Sequence, residues 1–238
     1  MTKHKNRKRS KNEIDASWLT AVRGKILRWG RRNFASYPWR DDRDPWLTLI
    51  AELLLQRTRA SQVLPAYELF RARYRTPRDL LRAGRRGVRV LTNKVGLHAR
   101  GDTLLAVARL FEERGVPHGS EELRAITGVG AYTAAAWLSL HRGRRAVIID
   151  SNVFRWLGRM TGQSYHRDPR HVRWVNELAE ALTPRRSFRD YNYAVLDFTM
   201  TICTPREPNC ISCPLRVTCV YGRSAVRGVS HTWGSTES

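Results

Sequence analysis

Residues 123–138 read LRAITGVGAYTAAAWL. The apolar spacing predicts a short helix ending near Ile126 and a second helix, built of small residues, starting at about Tyr132. Between them Gly128-Val129-Gly130 makes a tight turn, because glycine permits positive φ and close backbone approach. Ala134, Ala135 and Ala136 allow the second helix to pack closely on the first. Its N-terminus presents backbone N–H groups without intrahelical partners and the positive end of the helix dipole. Such an end grips a phosphate without reading sequence. Glycines also join many helix pairs that bind nothing, so the turn alone leaves both readings open.

The next stretch, residues 146–159, reads AVIIDSNVFRWLGR. An apolar run delivers Asp150 to the start of another helix, with Asn152 and Arg155 close behind. Aspartate is a favoured N-cap. It is also a group that can stabilise a cation, and the residues alone fit either role.

All four cysteines lie near the C-terminus: Cys203, Cys210, Cys213 and Cys219, spaced C-x6-C-x2-C-x5-C. Thiols this close, in a chain whose first 30 residues hold no apolar run of signal-peptide length, predict a metal site and not a disulfide framework. Four thiolates suit either tetrahedral zinc or an iron–sulfur cluster. The expected compartment is the cytoplasm, where thiols stay reduced. Nothing approaches 18 consecutive apolar residues, so no membrane span is expected.

Charge narrows the partner. Lys and Arg total 43 against 21 Asp and Glu, a net charge of +22. All but Lys3, Lys5, Lys8, Lys11, Lys25 and Lys94 of those cations are Arg. A coding bias can favour Arg over Lys but does not produce the excess. The excess predicts a polyanion, most simply nucleic acid, with a membrane surface or an acidic protein as alternatives. Arg forks suit phosphate.

From Ile14 to Val116 the apolar residues recur at helical spacing. Trp18, Val22, Ile26, Leu27 and Trp29 form one stripe, and Leu49, Leu53, Leu54 and Leu55 another. Val63, Tyr67 and Phe70 continue the pattern, as do Leu104, Leu105, Val107 and Leu110. Pro38, Pro45, Pro77 and Pro117 mark boundaries. Little alternates with period two, so the chain reads as all-α. Residues 1–13 read as a disordered basic arm and 223–238 as a flexible tail.

Taken in order, LxxITGVGxYTAxA, VIIDSNVFR and C-x6-C-x2-C-x5-C resemble the helix-hairpin-helix DNA glycosylases of the endonuclease III and MutY type. YPWRDDRDPW, LIAELLLQRT and DYNYAVLDFTMTICTPREPNC are similar to the MutY branch. The likeness covers about residues 36–222. It implies two helical domains with DNA crossing the cleft between them. One is a six-helix barrel over 45–145, with the helix-hairpin-helix at 123–138. The other, 14–44 plus 146–222, is closed by a 4Fe-4S cluster on the four cysteines. The implied partner is double-stranded DNA with a mismatched or damaged base, bound by a monomer.

The resemblance also assigns roles. Breaking an N-glycosidic bond gives the sugar oxocarbenium character, which a carboxylate stabilises while a second acid serves the leaving base or water. Asp150 aligns with the catalytic aspartate and Glu52 with the glutamate of the MutY branch. Glu52 sits inside the run Leu49–Leu55, where an acid is costly unless paired or useful. Tyr132 stands where strand-cleaving relatives carry a Schiff-base Lys, and no Lys follows Lys94. The expected enzyme is therefore monofunctional. Tyr there resembles the archaeal-type glycosylases acting on thymine or uracil opposite guanine, whereas adenine glycosylases usually have Ser. The alternatives are adenine removal opposite guanine or 8-oxoguanine, removal of another modified base, and a non-enzymatic iron–sulfur DNA-binding module. Candidate DNA contacts are Gln56, Arg57, Thr58, Leu97, Gly128, Val129, Gly130, Thr133, Asn152 and Arg155. Among these, Gln56 would fill the gap left by a flipped base and Leu97 would wedge the opposite strand.

Overall fold

A computed structural model describes residues 14–94, 100–163 and 172–226. Every regular element among them is helical: α1 (Ala16–Asn33), α2 (Pro38–Asp41), α3 (Pro45–Leu54), α4 (Ala60–Arg73), α5 (Pro77–Lys94), α6 (Gly101–Arg114), α7 (Ser120–Arg124), α8 (Ala131–His141), α9 (Ser151–Thr161), α10 (Arg173–Leu182), α11 (Phe188–Thr201) and α12 (Val220–Val226). The chain is thus all-α, as its periodicity predicts. No helix among the described residues is long and apolar enough to cross a membrane.

The described residues divide into two compact units, one of 34–94, 100–148 and 185–193, the other of 14–33, 149–163, 172–184 and 194–226. The unit holding the hairpin is built around α3. Trp46 through Leu54 are all buried, so this helix has no solvent face and its neighbours must surround it. Asp44 caps its N-terminus, accepting from the backbone N–H of Trp46 and Leu47, with Pro45 in the first turn. Trp137 of α8 donates its indole N–H to the Pro45 carbonyl at 3.1 Å. At the other end Arg100 donates to the Leu53 carbonyl at 2.7 Å and to that of Gln56. Those carbonyls have no intrahelical partner, and a guanidinium supplies one.

Residues 34–44, which the resemblance groups with the other domain, pack in this unit. Trp39 meets Tyr67 of α4 edge to face at 5.4 Å and stacks on Tyr37 at 4.7 Å. Residues 185–193 also belong here. Arg189 donates to the Leu140 and Arg40 carbonyls at 2.7 and 2.5 Å, and Asn192 donates to Ser139 Oγ at 2.6 Å. These partners are far apart in sequence, so no local pattern marks them.

The second unit packs α1 on α10, and α9 on α10 and α12. Trp29 and Trp156 both meet Phe198 edge to face, at 5.4 and 6.2 Å. Arg23 of α1 donates to the Leu182 and Ala181 carbonyls at 3.1 and 2.5 Å. It closes the end of α10, which has no basic residue in its own last turn.

The hairpin forms where expected, with α7 and α8 joined through Gly128 at φ +92°. A Cβ at Gly128 would stand 2.3 Å from Thr103 Oγ1, the same hydroxyl that donates to the Thr127 carbonyl at 2.9 Å. Gly128→Ala therefore meets both a left-handed backbone and a steric clash. It should lower the unfolding free energy by about 2–4 kcal/mol, read from the denaturant midpoint. Gly130→Ala, at φ −83° with nothing near its Cβ position, should change it by less than about 1 kcal/mol.

Candidate active site

Gly130 is the N-cap of α8 and supplies no capping side chain. The dipole end of an 11-residue helix is therefore left for an external acceptor. Val129 is buried and its N–H closes the turn on the Ile126 carbonyl at 3.0 Å. Thr133 is buried as well, and accepts from the Gln56 amide at 2.7 Å. Gln56 also donates to the Gly128 carbonyl at 3.1 Å. The residue read as a gap filler is thus tied to the hairpin, joining the end of α3 to the turn. Tyr132 is half-buried at the start of α8.

Arg57 is exposed and has φ +56°. A non-glycine residue held in the left-handed region stores strain, and such residues cluster at functional sites. Thr58 folds back on this turn, its hydroxyl donating to the Gln56 carbonyl at 3.3 Å. Arg100 pins the turn from beneath. Burial, then the neighbouring charge of Arg57, draws Arg100 below its ordinary pKa. Sequence reading missed Arg100, although its place just before α6 in the VGLHARGD loop was available. Leu97 lies outside the described residues.

Glu52 is 4% exposed, and the partner its burial demands is His141, the last residue of α8. His141 Nε2 lies 2.9 Å from Glu52 Oε1, and the imidazole side chain is 1% exposed. Around the pair stand Tyr193, whose ring lies 6.5 Å from the imidazole, and the guanidinium groups of Arg40 and Arg189, 4.4 and 5.5 Å from the Tyr193 ring. Burial, then the Glu52 charge, raises the Tyr193 phenol above its usual pKa. Sequence reading missed His141. The one available signal was a histidine closing an otherwise apolar helix.

In the other unit, Asp150 is the N-cap of α9. Its Oδ1 accepts from the Val153 N–H at 2.7 Å and its Oδ2 from Asn152 Nδ2 at 2.9 Å. Asn152 Oδ1 accepts from Arg155 at 2.9 Å. Arg155 in turn donates to the Cys203 carbonyl at 2.8 and 3.2 Å and to the Thr199 carbonyl at 2.8 Å. Asn152 and Arg155, read from sequence as DNA contacts, here form a wired path from the Asp150 carboxylate to the first cysteine.

The four cysteines line one hollow. Burial pushes Cys213 up to about 11 and Cys219 up to about 12, and raises Cys210, with the neighbouring thiols adding to the effect. Four thiolates there need a bound cation. Two donors facing the question of charge are already in place. Trp156 and Arg159 line the same hollow, and their Nε1–H and Nε–H groups are buried without an acceptor. Arg159 also reaches Cys203 Sγ at 3.6 Å, and the Gly222 N–H reaches Cys219 Sγ at 3.3 Å. Among the described residues no three His, Cys, Asp or Glu side chains converge on a single ion. Thiolates around one zinc would lie about 3.8 Å apart, given Zn–S near 2.3 Å.

Over residues 50–181 the chain matches the HhH-GPD superfamily of base excision DNA repair proteins, and it belongs to that family. It is 34% identical to a thymine/uracil-DNA glycosylase of Methanothermobacter thermautotrophicus over 82% of this chain and 90% of that one. It is 34% identical to a thymine-DNA glycosylase of Aeropyrum pernix over 87% of this chain and 97% of that one. A solved thermostable thymine-DNA glycosylase superposes with a TM-score of 0.81 at 32% identity, covering 87% of this chain and 98% of that one.

The Arg155 fork carries a test. Arg155→Leu strands the Thr199 and Cys203 carbonyls and should cost about 2–4 kcal/mol of stability in thermal or denaturant unfolding. Arg155→Lys, a point donor in place of a fork, should recover only part of it.

Proposed function

We propose that this chain is a monofunctional glycosylase that hydrolyses the N-glycosidic bond of thymine or uracil mispaired with guanine, leaving an intact abasic site. The observation that carries the reading is Glu52. An acid kept inside an apolar helix against its desolvation cost, with one oxygen held, is an acid with a proton-transfer task. The substrate class follows from relatives named for thymine and uracil that match along nearly their whole length.

Asp150 is the group that stabilises the sugar as it gains positive charge. Its cap bond and the Asn152 amide hold the carboxylate in one rotamer, so little reorganisation is needed when charge develops. Glu52 delivers a proton to the departing base or orders the attacking water. The uncapped N-terminus of α8 takes a backbone phosphate, and the net charge of +22 draws in the duplex. Tyr132 packs against the extruded base. Gln56 and the strained Arg57 turn face the gap in the stack, and an Arg fork suits the orphaned guanine. Monofunctionality rests on the absence of Lys after Lys94, which leaves no amine for a Schiff base near the hairpin.

The residues also fit a 4Fe-4S cluster, held by Cys203, Cys210, Cys213 and Cys219. Its contribution would be structural, binding the loop of residues 203–219 into one shape. Trp156 and Arg159 would supply hydrogen bonds to its sulfurs.

Duplexes carrying T:G, U:G, A:G, A:8-oxoguanine and hypoxanthine pairs, treated with alkali after incubation, test the reaction. Cleavage is expected at T:G and U:G. Cleavage confined to A opposite guanine or 8-oxoguanine would establish adenine removal instead. Asp150→Asn should abolish excision with duplex affinity retained, and borohydride should trap no covalent adduct. The purified protein should be brown, absorbing near about 400 nm, and a colourless, zinc-loaded, fully active protein would rule out the cluster.

A further inference from the structure

His141 has no part in the reaction as described so far, yet its contact with Glu52 is the most buried ionisable contact in its unit. One imidazole edge, Nε2, lies 2.9 Å from Glu52 Oε1. The other edge, Nδ1, is buried with no partner at all. A histidine kept only for stability would satisfy both nitrogens, since an orphaned buried polar atom costs about 1–3 kcal/mol. The orphan also settles the tautomer. With the proton on Nε2, only a lone pair is left unpaired at Nδ1. With the proton on Nδ1, a buried N–H would lack an acceptor. Nε2–H therefore donates to Oε1.

We infer that His141 is a positioning residue for Glu52: its Nε2–H holds Oε1, leaving Oε2 as the oxygen that exchanges a proton with substrate. This rests on the proposed glycosylase reading and deepens it. When Glu52 releases its Oε2 proton to the leaving base, the electron pair of that O–H bond stays on the carboxylate. The growing negative charge is met by a hydrogen bond already in place, and no proton passes through the imidazole. The groups facing the pair are Tyr193, Arg40 and Arg189. Each of those two guanidinium groups is engaged elsewhere: Arg189 bonds the Leu140 and Arg40 carbonyls, and Arg40 lies over the Tyr193 ring at 4.4 Å. The orienting bond observed on Glu52 is the one from His141, at 2.9 Å.

Single-turnover excision from a U:G duplex tests this, alongside affinity for the same duplex carrying a non-cleavable 2′-fluoro nucleotide. Two variants remove the donor: His141→Leu, which keeps much of the volume, and His141→Ala. Each should slow excision about tenfold to a hundredfold, part of the effect of a positioned general acid, while changing affinity by less than about threefold. His141→Gln places an amide N–H within similar reach and should restore the rate to within about threefold. In a Glu52→Gln background, His141→Leu should cost nothing further, because the two act as one unit.

Undiminished excision by His141→Leu overturns the inference. So does an equal loss in His141→Gln, or a further loss in the Glu52→Gln background, since either would mean that His141 acts other than through Glu52. Absence of excision by the unaltered protein on every duplex overturns the proposed function itself, and this inference with it. Active unaltered protein with a fully active His141→Leu overturns this inference alone.

Discussion

A helix buried on all sides dictates the unit that carries the hairpin. Nine consecutive residues of α3 lose their water, and each consequence follows from that. The neighbouring helices surround it because none of its faces can be left wet. Its first N–H groups are met by Asp44 and its last carbonyls by Arg100, because neither end can rely on solvent. Its single acid, Glu52, must have a polar partner, and His141 provides one. The turn after α3 inherits this rigidity. Gln56 is tied to the hairpin and Arg57 is held in a left-handed conformation between fixed points, so the turn stands on a stiff support.

In the second unit the organising element is α9. Its N-cap aspartate and its arginines serve different ends of one hydrogen-bonded path. At Asp150 one oxygen satisfies the Val153 N–H, the other is oriented by Asn152, and both constraints narrow the rotamer, as the proposed catalytic role would require. Arg155 carries the path on to the Cys203 carbonyl, and Arg159, one turn later, reaches the Cys203 sulfur itself. Anything that orders the cysteine loop therefore also steadies the start of α9.

Much of this was legible because it is local. The two glycines of the hairpin sit three and one residues before α8, and a backbone at φ +92° admits almost nothing but glycine there. The cysteine spacing foretold that the four thiols gather at one hollow, since residues on one short loop need no long-range folding to meet. The run around Glu52 announced a buried acid in need of a partner, because transfer cost depends on residue type and neighbours alone. The partner itself was not legible. His141 lies 89 residues further on, and Trp156 and Asn192 read as ordinary core or helix residues until packing brings them to a hollow or to Ser139. Trp39 and Arg189 likewise join the α3 unit through partners no local pattern records.

By itself, then, the sequence determined the helical class, the hairpin, the gathering of the four thiols, the burial of an acid in α3 and the strong positive charge. Each follows from periodicity, spacing or composition, which act over a few residues or over the whole chain at once. Only the tertiary structure decided which side chain holds each acid, which arginines serve carbonyls, and that two buried N–H donors wait beside the cysteines. Those are properties of distance in space. A hydrogen bond forms or fails within a few tenths of an ångström, a scale that is set only once the helices have packed.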